Sequence, residues 1–181
     1  SIFFNTISIL TGTGYVNAEF DGWGSFPITI FLALMFIGGC AGSTTCGIKI
    51  FRVQILYQFF SNQIKKIIYP HGVFNMKYEK QNIDEKFMSS VISFIYLYFI
   101  IFFIVTSLLT INGLDLVSAL SAAATSISNV GPGLGDTIGP NGNFAEISNN
   151  SKWILSFAMI LGRLELFAIL VLFIPSFWRK F

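Results

Sequence analysis

Two polar, glycine-bearing runs stand inside an otherwise apolar chain, and their main chains could bind a cation. The first is "LTGTGYVN" at Leu10–Asn17, and the second is "SNVGPGLG" at Ser128–Gly135. Glycine permits the backbone conformations that aim successive carbonyl groups the same way, while Thr and Asn can brace such turns by hydrogen bonds. Rings of backbone carbonyls replace the hydration shell of a permeating cation. We therefore expect each run to be one arm of such a ring.

A third glycine-rich run, "GGCAGSTTCG" at Gly38–Gly47, interrupts an apolar stretch. If Phe26–Phe60 formed one helix, it would be roughly 52 Å long, which is much more than a bilayer requires. The sequence therefore predicts that the chain bends or unwinds within this run. The glycine spacing also matches a phosphate-binding loop, but Ile48 stands where the lysine is required and no strand precedes the run.

One basic residue, Arg163, lies about ten residues into the apolar stretch Trp153–Phe177, which places it near the bilayer centre. A charge at that depth must face a partner or a wet cavity, and it indicates function. An ion pair with Glu165 is the structural alternative, although residues two apart on a helix point to different faces and pair poorly.

The two cysteines, Cys40 and Cys46, lie within the third glycine-rich run. A metal site would need further ligands, and the only histidine of the chain, His71, lies in a separate basic loop. The sequence favours small, buried, reduced thiols at these positions.

Composition predicts that helices in a membrane position these residues. Of the 181 residues, 54% are hydrophobic and 11% are charged, and the mean hydropathy is +0.70. These values are typical of an integral membrane protein. At least three apolar runs are long enough to be spans: Phe26–Ile37 continuing into Ile48–Phe60, Val91–Ile111, and Trp153–Phe177. The chain opens at Ser1 in mid-pattern, so we expect further residues upstream.

An internal repeat organises these segments. Leu114–Ser126 has helical spacing but is too short to cross a bilayer, so it is predicted to be a re-entrant half-helix. "SIFFNTISIL" at the start of the chain follows the same plan. The predicted fold is all-α and membrane-embedded, with helix/pore-loop/helix repeats. Residues 1–60 form one repeat that lacks its first helix, residues 61–90 form a cytoplasmic loop, and residues 91–181 form a complete repeat.

The distribution of charge predicts the orientation, because Lys and Arg accumulate in cytoplasmic loops. The loop Ser61–Lys86 and the C-terminus carry most of the basic residues, whereas both polar runs are flanked mainly by acidic residues. We therefore expect the loop and the C-terminus to be cytoplasmic and both runs to lie on the outer side. The basic loop is accordingly a topological signal rather than a surface for nucleic acid.

Four separated motifs carry a resemblance to a known family. In order, they are "TGTGYV", "FIGGCAGSTTCGIKIFRV", "SNVGPGLG" and "ILGRLELFAILVLFIPSFWR". Together they resemble the C-terminal half of Trk-type potassium uptake proteins, in the TrkH branch of the Trk/Ktr/HKT superfamily. That family folds as four repeats around a pseudo-fourfold pore, so the resemblance implies that this chain holds the third and fourth repeats.

The resemblance also implies roles for individual residues. Carbonyls of Gly12, Thr13 and Gly14 in one arm, and of Asn129, Val130 and Gly131 in the other, are expected to bind K⁺. Because Tyr15 follows one filter glycine and Pro132 follows the other, the two arms cannot be identical.

The break in the first span is implied to be an intramembrane gate beneath the filter. It would comprise the small and hydroxyl-bearing residues of the third run, namely Gly38, Gly39, Gly42, Ser43, Thr44, Thr45 and Gly47. Arg163 would lie on the pore side below the filter and resist the passage of cations.

Partners and location follow from the resemblance as well. It implies a homodimer in a bacterial inner membrane, with the N-terminal half of the same protein and a cytosolic, nucleotide-binding, TrkA-like regulatory subunit. It implies no covalent cofactor and no enzymatic activity, with K⁺ as the transported substrate. A purely structural kink at the break remains open, as does a secondary transporter or membrane enzyme whose site lies at the interrupted helix.

Overall fold

The computed structural model describes residues 1–39, 45–70, 72, 77–78, 81–135, 137–140, 142–164, 166–172 and 174–178. The protein is mostly helical. Its helices are α1 Ile2–Thr11, α2 Ser25–Phe36, α3 Ile50–Ile68, α4 Glu85–Ile111, α5 Leu116–Ser128, α6 Asn149–Arg163, α7 Leu166–Leu172 and α8 Pro175–Trp178, with a short 3-10 helix at Asp21–Trp23. Two pairs of two-residue strands, β1 Ile37–Gly38 with β2 Ile48–Lys49 and β3 Lys77–Tyr78 with β4 Gln81–Asn82, depart from the predicted all-α fold.

The short helix α5 lies at the centre of the structure. Ten of its thirteen residues are buried, and it packs against α2, α4 and α6. Small residues cover most of its surface, which lets these neighbours approach its backbone closely. The carboxylate of Asp115 caps its first turn by accepting a hydrogen bond from the main-chain N–H of Ser118 at 3.0 Å. Interactions with the Ser118 side chain and with that N–H lower the pKa of Asp115.

Among the described residues, α4 is the one helix that is both long enough and apolar enough to cross a membrane, over Lys86–Ile111. The first predicted span is interrupted, as expected, because α2 ends at Phe36 and α3 begins at Ile50.

The third predicted span differs from the expectation of one continuous helix. Helix α6 ends at Arg163, α7 begins at Leu166, and α8 begins at Pro175. Glycine has low helix propensity, and Gly162 stands in the last turn of α6. Proline also disfavours helical backbone at the residue before it, which fits the placement of Pro175 at the first position of α8.

The interruption between α2 and α3 is closed by parallel pairing of β1 with β2. Ile37 pairs with Ile48, and Gly38 pairs with Lys49. The main-chain N–H of Ile50 also donates to the carbonyl of Gly39 at 3.3 Å. The chain therefore leaves the helix at Ile37 and comes back beside the same point at Ile48. Residues 40–44, which include the predicted gate residues Gly42, Ser43 and Thr44, lie outside the described residues.

Aromatic packing attaches this interruption to α4. The Phe36 ring at the end of α2 has its centroid 6.1 Å from that of Tyr98 and 5.1 Å from that of Phe102. At the start of α3, the Arg52 guanidinium lies 3.8 Å from the centroid of the Phe94 ring, which is a cation–π contact. Both flanks of the interruption are thus fixed against the same long helix.

Candidate functional site

The first polar run begins where α1 ends in a left-handed turn. Gly12 has a φ of +70°, and its N–H donates to the carbonyl of Ile9 at 3.1 Å. The next N–H, from Thr13, reaches back to the carbonyl of Ser8 at 3.0 Å. This pair of hydrogen bonds is a Schellman motif, and it is typical of a helix that stops at a glycine.

The second polar run begins with the same motif at the end of α5. Asn129 has a φ of +52°, and its N–H donates to the carbonyl of Ser126 at 3.2 Å. The N–H of Val130 donates to the carbonyl of Thr125 at 3.0 Å. The sequence offsets of both hydrogen bonds equal those at the end of α1. Asn takes the place of Gly because it tolerates left-handed backbone better than most other side chains do.

The two runs approach each other at Gly14 and Gly131. These residues stand two positions after their respective helix caps and have φ values of +73° and +118°. A Cβ added to Gly14 would overlap the carbonyl oxygen of Val130, and one added to Gly131 would lie 3.7 Å from Cα of Gly14. We name these segments the first arm, Gly12–Gly14, and the second arm, Asn129–Gly131. The structure brings Gly14 of the first arm against Val130 and Gly131 of the second.

Within the described part of the chain, no N–H or hydroxyl group donates a hydrogen bond to a carbonyl of either arm. Each arm also follows the C-terminal end of a helix, where unpaired carbonyls carry about half a negative charge. The arms therefore combine negative electrostatic potential with carbonyl oxygens that accept no hydrogen bond from the described residues. This is the chemistry of a site for a hard cation such as K⁺.

Buried side chains brace the arms from behind. Thr125 Oγ1 accepts a hydrogen bond from the N–H of Gly131 at 2.8 Å. The hydroxyl of Ser128 lies 2.7 Å from the buried hydroxyl of Tyr98 on α4. Near the first arm, the fully buried Asn5 side chain accepts a hydrogen bond from the N–H of Asn17 at 3.1 Å. These contacts fix where the arms stand relative to α1, α4 and α5.

The C-terminal side of the interruption lies against the end of α1 and Arg163. The Thr45 hydroxyl donates to the carbonyl of Thr11 at 3.4 Å. Arg163 donates from Nη1 to Sγ of Cys46 at 3.5 Å. Of the predicted gate residues that the structure describes, Thr45 and Gly47 flank the residue that contacts the predicted pore charge, and Gly38 lies against the carbonyl of that same residue. The fourth, Gly39, accepts the hydrogen bond from Ile50. The alternative partner of that charge, Glu165, lies outside the described residues.

Two residues that attach α6 to the second arm, Met159 and Gly162, were not among the predicted site residues. The Asn129 amide donates from Nδ2 to the carbonyl of Met159 at 3.1 Å. No Cβ fits at Gly162, because the Ile127 carbonyl of α5 occupies that place. A glycine inside an apolar helical pattern is a sign of close backbone approach, so Gly162 could have been found from the sequence.

Among the described residues, no group of three or more His, Cys, Asp or Glu side chains could hold a metal ion.

Comparison with known proteins identifies the family. Residues 1–180 match TrkH, a family described as cation transport protein. The chain belongs to the TrkH family. It is 42% identical over 177 residues to the Trk system potassium uptake protein TrkI of Halomonas elongata, and 34% identical over 178 residues to TrkH of Salmonella typhimurium. Each alignment covers 98% of this chain and 36% of the relative.

A crystal structure from the TrkH family has the same fold. The potassium transporter TrkH from Vibrio parahaemolyticus superposes with a TM-score of 0.88 at 34% sequence identity, covering 97% of this chain and 37% of that protein. Members of the TrkH family are transporters and not enzymes, which confirms the prediction that the chain has no enzymatic role. A cation transport protein acts in a membrane, which agrees with the apolar composition.

Proposed function

We propose that this chain supplies two arms of a K⁺-selective filter within a potassium uptake protein. One observation carries the proposal: the chain segments that follow two helix ends with the same hydrogen-bond pattern meet at Gly14 and Gly131, and the carbonyls of both arms accept no hydrogen bond from the described residues. The names of the relatives, which are Trk system potassium uptake proteins, support K⁺ as the transported ion.

In this proposal the carbonyls of Gly12, Thr13 and Gly14 and those of Asn129, Val130 and Gly131 bind dehydrated K⁺. The ends of α1 and α5 hold the ion electrostatically. The arms are related by an approximate repeat, since Tyr15 follows the first arm and Pro132 follows the second. Side chains play a bracing role, and the ion contacts the main chain.

The interruption between α2 and α3 acts as a gate in this scheme. The gate is assigned to the run Gly38–Gly47 beneath the filter, of which Gly42, Ser43 and Thr44 lie outside the described residues. Arg163 places a positive charge beside it, and this charge repels cations until the loop or the arginine moves. The hydrogen bond from Arg163 to Cys46 supports this placement, because it joins the charge to the loop.

The complete assembly requires more than this chain, which spans about 36% of the length of the relatives it matches. The N-terminal half of the full protein supplies the remaining two filter arms. Two copies form a homodimer in the lipid bilayer of a bacterial inner membrane, with a TrkA-like nucleotide-binding subunit on the cytosolic side. The arms face outward, and the loop Ser61–Lys86 and the C-terminus face the cytoplasm.

Selectivity of ion flux tests the filter. Purified full-length protein in liposomes is compared with its Gly131→Ser variant for flux of potassium, rubidium, sodium and lithium. We expect the variant to lose its preference for potassium over sodium, because a side chain at a φ of +118° distorts the arm.

The matched control is Gly113→Ser. Gly113 also has a positive φ, of +94°, but it lies outside both arms, with no atom within 4 Å of an added Cβ. This variant should keep wild-type selectivity. If Gly131→Ser keeps it too, the arms do not form the filter.

Removal of the charge tests the gate. We expect Arg163→Gln to raise potassium flux without changing selectivity, because the electrostatic barrier is lost. Lys65→Gln, which removes an exposed positive charge from the last turn of α3, is the control and should leave flux unchanged. Lower flux in Arg163→Gln, with normal protein levels, would contradict a gating role for the arginine.

A further inference from the structure

The hydrogen bond between Arg163 and Cys46 joins residues that are 117 positions apart in the sequence. It links α6, which packs against the second arm through Asn129 and Gly162, to the β1–β2 interruption. The acceptor is a sulfur atom, which is a weaker acceptor than oxygen. A contact of this kind can hold a guanidinium group and still release it readily.

The main chain at Cys46 is held in place from two sides. Its carbonyl oxygen occupies the space where a Cβ at Gly38 would stand, so only glycine fits opposite it. The next residues, Gly47 with a φ of +85° and Ile48 paired to Ile37, complete the closure of the loop. With its backbone fixed in this way, Cys46 presents its sulfur at a defined position.

The neighbouring residue, Thr45, contacts the first arm. Its hydroxyl donates to the carbonyl of Thr11 at 3.4 Å, and its methyl group lies 3.3 Å from the place of a Cβ at Gly12. Two consecutive residues therefore contact the start of the first arm and the charged side chain of α6.

The geometry points to Cys46 as a positioning residue that holds the Arg163 guanidinium against the interruption and so favours the closed gate. This inference rests on the proposed gating function and adds to it a side chain that helps to retain the charge. A hydrogen bond to a charged group is stronger than one between neutral groups, but sulfur is a weak acceptor, so this bond is expected to contribute about as much as an ordinary neutral hydrogen bond. Loss of the thiol should therefore raise basal flux about threefold to tenfold.

The experiment uses full-length protein in liposomes and measures rubidium influx per protein. We expect Cys46→Ala to raise the flux by that factor. Cys46→Ser, which retains a hydrogen-bond acceptor on the same carbon, should return most of the flux toward the wild-type value. If Cys46→Ala does not reach the membrane, Cys46→Gly removes the thiol with greater backbone freedom and takes its place.

A double-mutant cycle with Arg163→Gln separates positioning from general support of the fold. If Cys46 acts through Arg163, then adding Cys46→Ala to Arg163→Gln produces no further increase in flux. Fully additive increases, or unchanged flux in Cys46→Ala, overturn the inference. If Arg163→Gln alone leaves flux unchanged, the gate proposal itself fails. If it raises flux while Cys46→Ala does not, only the role of the cysteine fails.

Discussion

Replacement of Gly14 by alanine tests whether the close approach of the two arms matters for transport. The added Cβ would meet the carbonyl oxygen of Val130, which is a main-chain atom and cannot turn aside. The left-handed φ of +73° costs a non-glycine residue about 1–2 kcal/mol. Overpacking against fixed neighbours typically adds about 1–3 kcal/mol. We therefore expect Gly14→Ala to lower the free energy of unfolding by about 2–5 kcal/mol, with the disruption concentrated where the arms meet.

Two other glycines separate these contributions. Gly113→Ala introduces the backbone strain alone, because its added Cβ meets nothing within 4 Å. Gly131→Ala introduces the strain and only an ordinary contact, at 3.7 Å from Cα of Gly14. The assay is rubidium uptake by full-length protein in liposomes. We expect uptake to be highest in Gly113→Ala, lower in Gly131→Ala and close to zero in Gly14→Ala.

Thermal unfolding of the same preparations shows whether lost uptake reflects lost folding. We expect Gly14→Ala to remain folded in detergent, with a lower midpoint than Gly113→Ala. If Gly14→Ala and Gly113→Ala lose uptake equally, backbone strain alone explains the effect, and the contact between the arms has no role. If Gly14→Ala transports normally, the close approach of the two arms is not required for transport.

Three further predictions concern the supports of the site. Tyr98→Phe removes the hydrogen bond to Ser128 from a buried pair and should lower the free energy of unfolding by about 1–3 kcal/mol, measured by chemical denaturation. Gly162→Ala should separate α6 from α5, because the Ile127 carbonyl occupies the place of the new methyl group, and reduced uptake at normal expression is the expected readout. Asp115→Ala removes an N-cap and should cost about 1 kcal/mol at neutral pH. Because hydrogen bonding lowers the pKa of Asp115, this difference should be complete above its ordinary value of 3.8 and disappear as the pH falls through the lower folded-state pKa.

Much of the fold could be predicted because glycine and apolar spacing are local signals. The pattern from Leu114 to Ser126 predicted a short helix, and α5 runs over Leu116–Ser128. The over-long stretch Phe26–Phe60 predicted an interruption, and α2 and α3 are separate helices. In both cases the chain violates a length requirement set by the bilayer, and that violation is visible without any tertiary information.

The features that the sequence did not predict are contacts between residues that lie far apart in the chain. The hydrogen bond from Asn129 to Met159 and the bond between Tyr98 and Ser128 each join residues 30 positions apart. The pairing of β1 with β2 was also missed, because two-residue strands carry no period of their own. These features depend on how helices cross, and a single sequence does not specify those crossings.

The parallel pairing of Ile37 with Ile48 has a consequence for how this protein family can change over evolutionary time. Neighbouring strands lie only about 4.8 Å apart, little more than one residue's advance along a chain. Main-chain hydrogen bonds therefore hold the end of α2 and the start of α3 together independently of the number of residues that join them, so an insertion or deletion between Gly39 and Thr45 need not displace either helix.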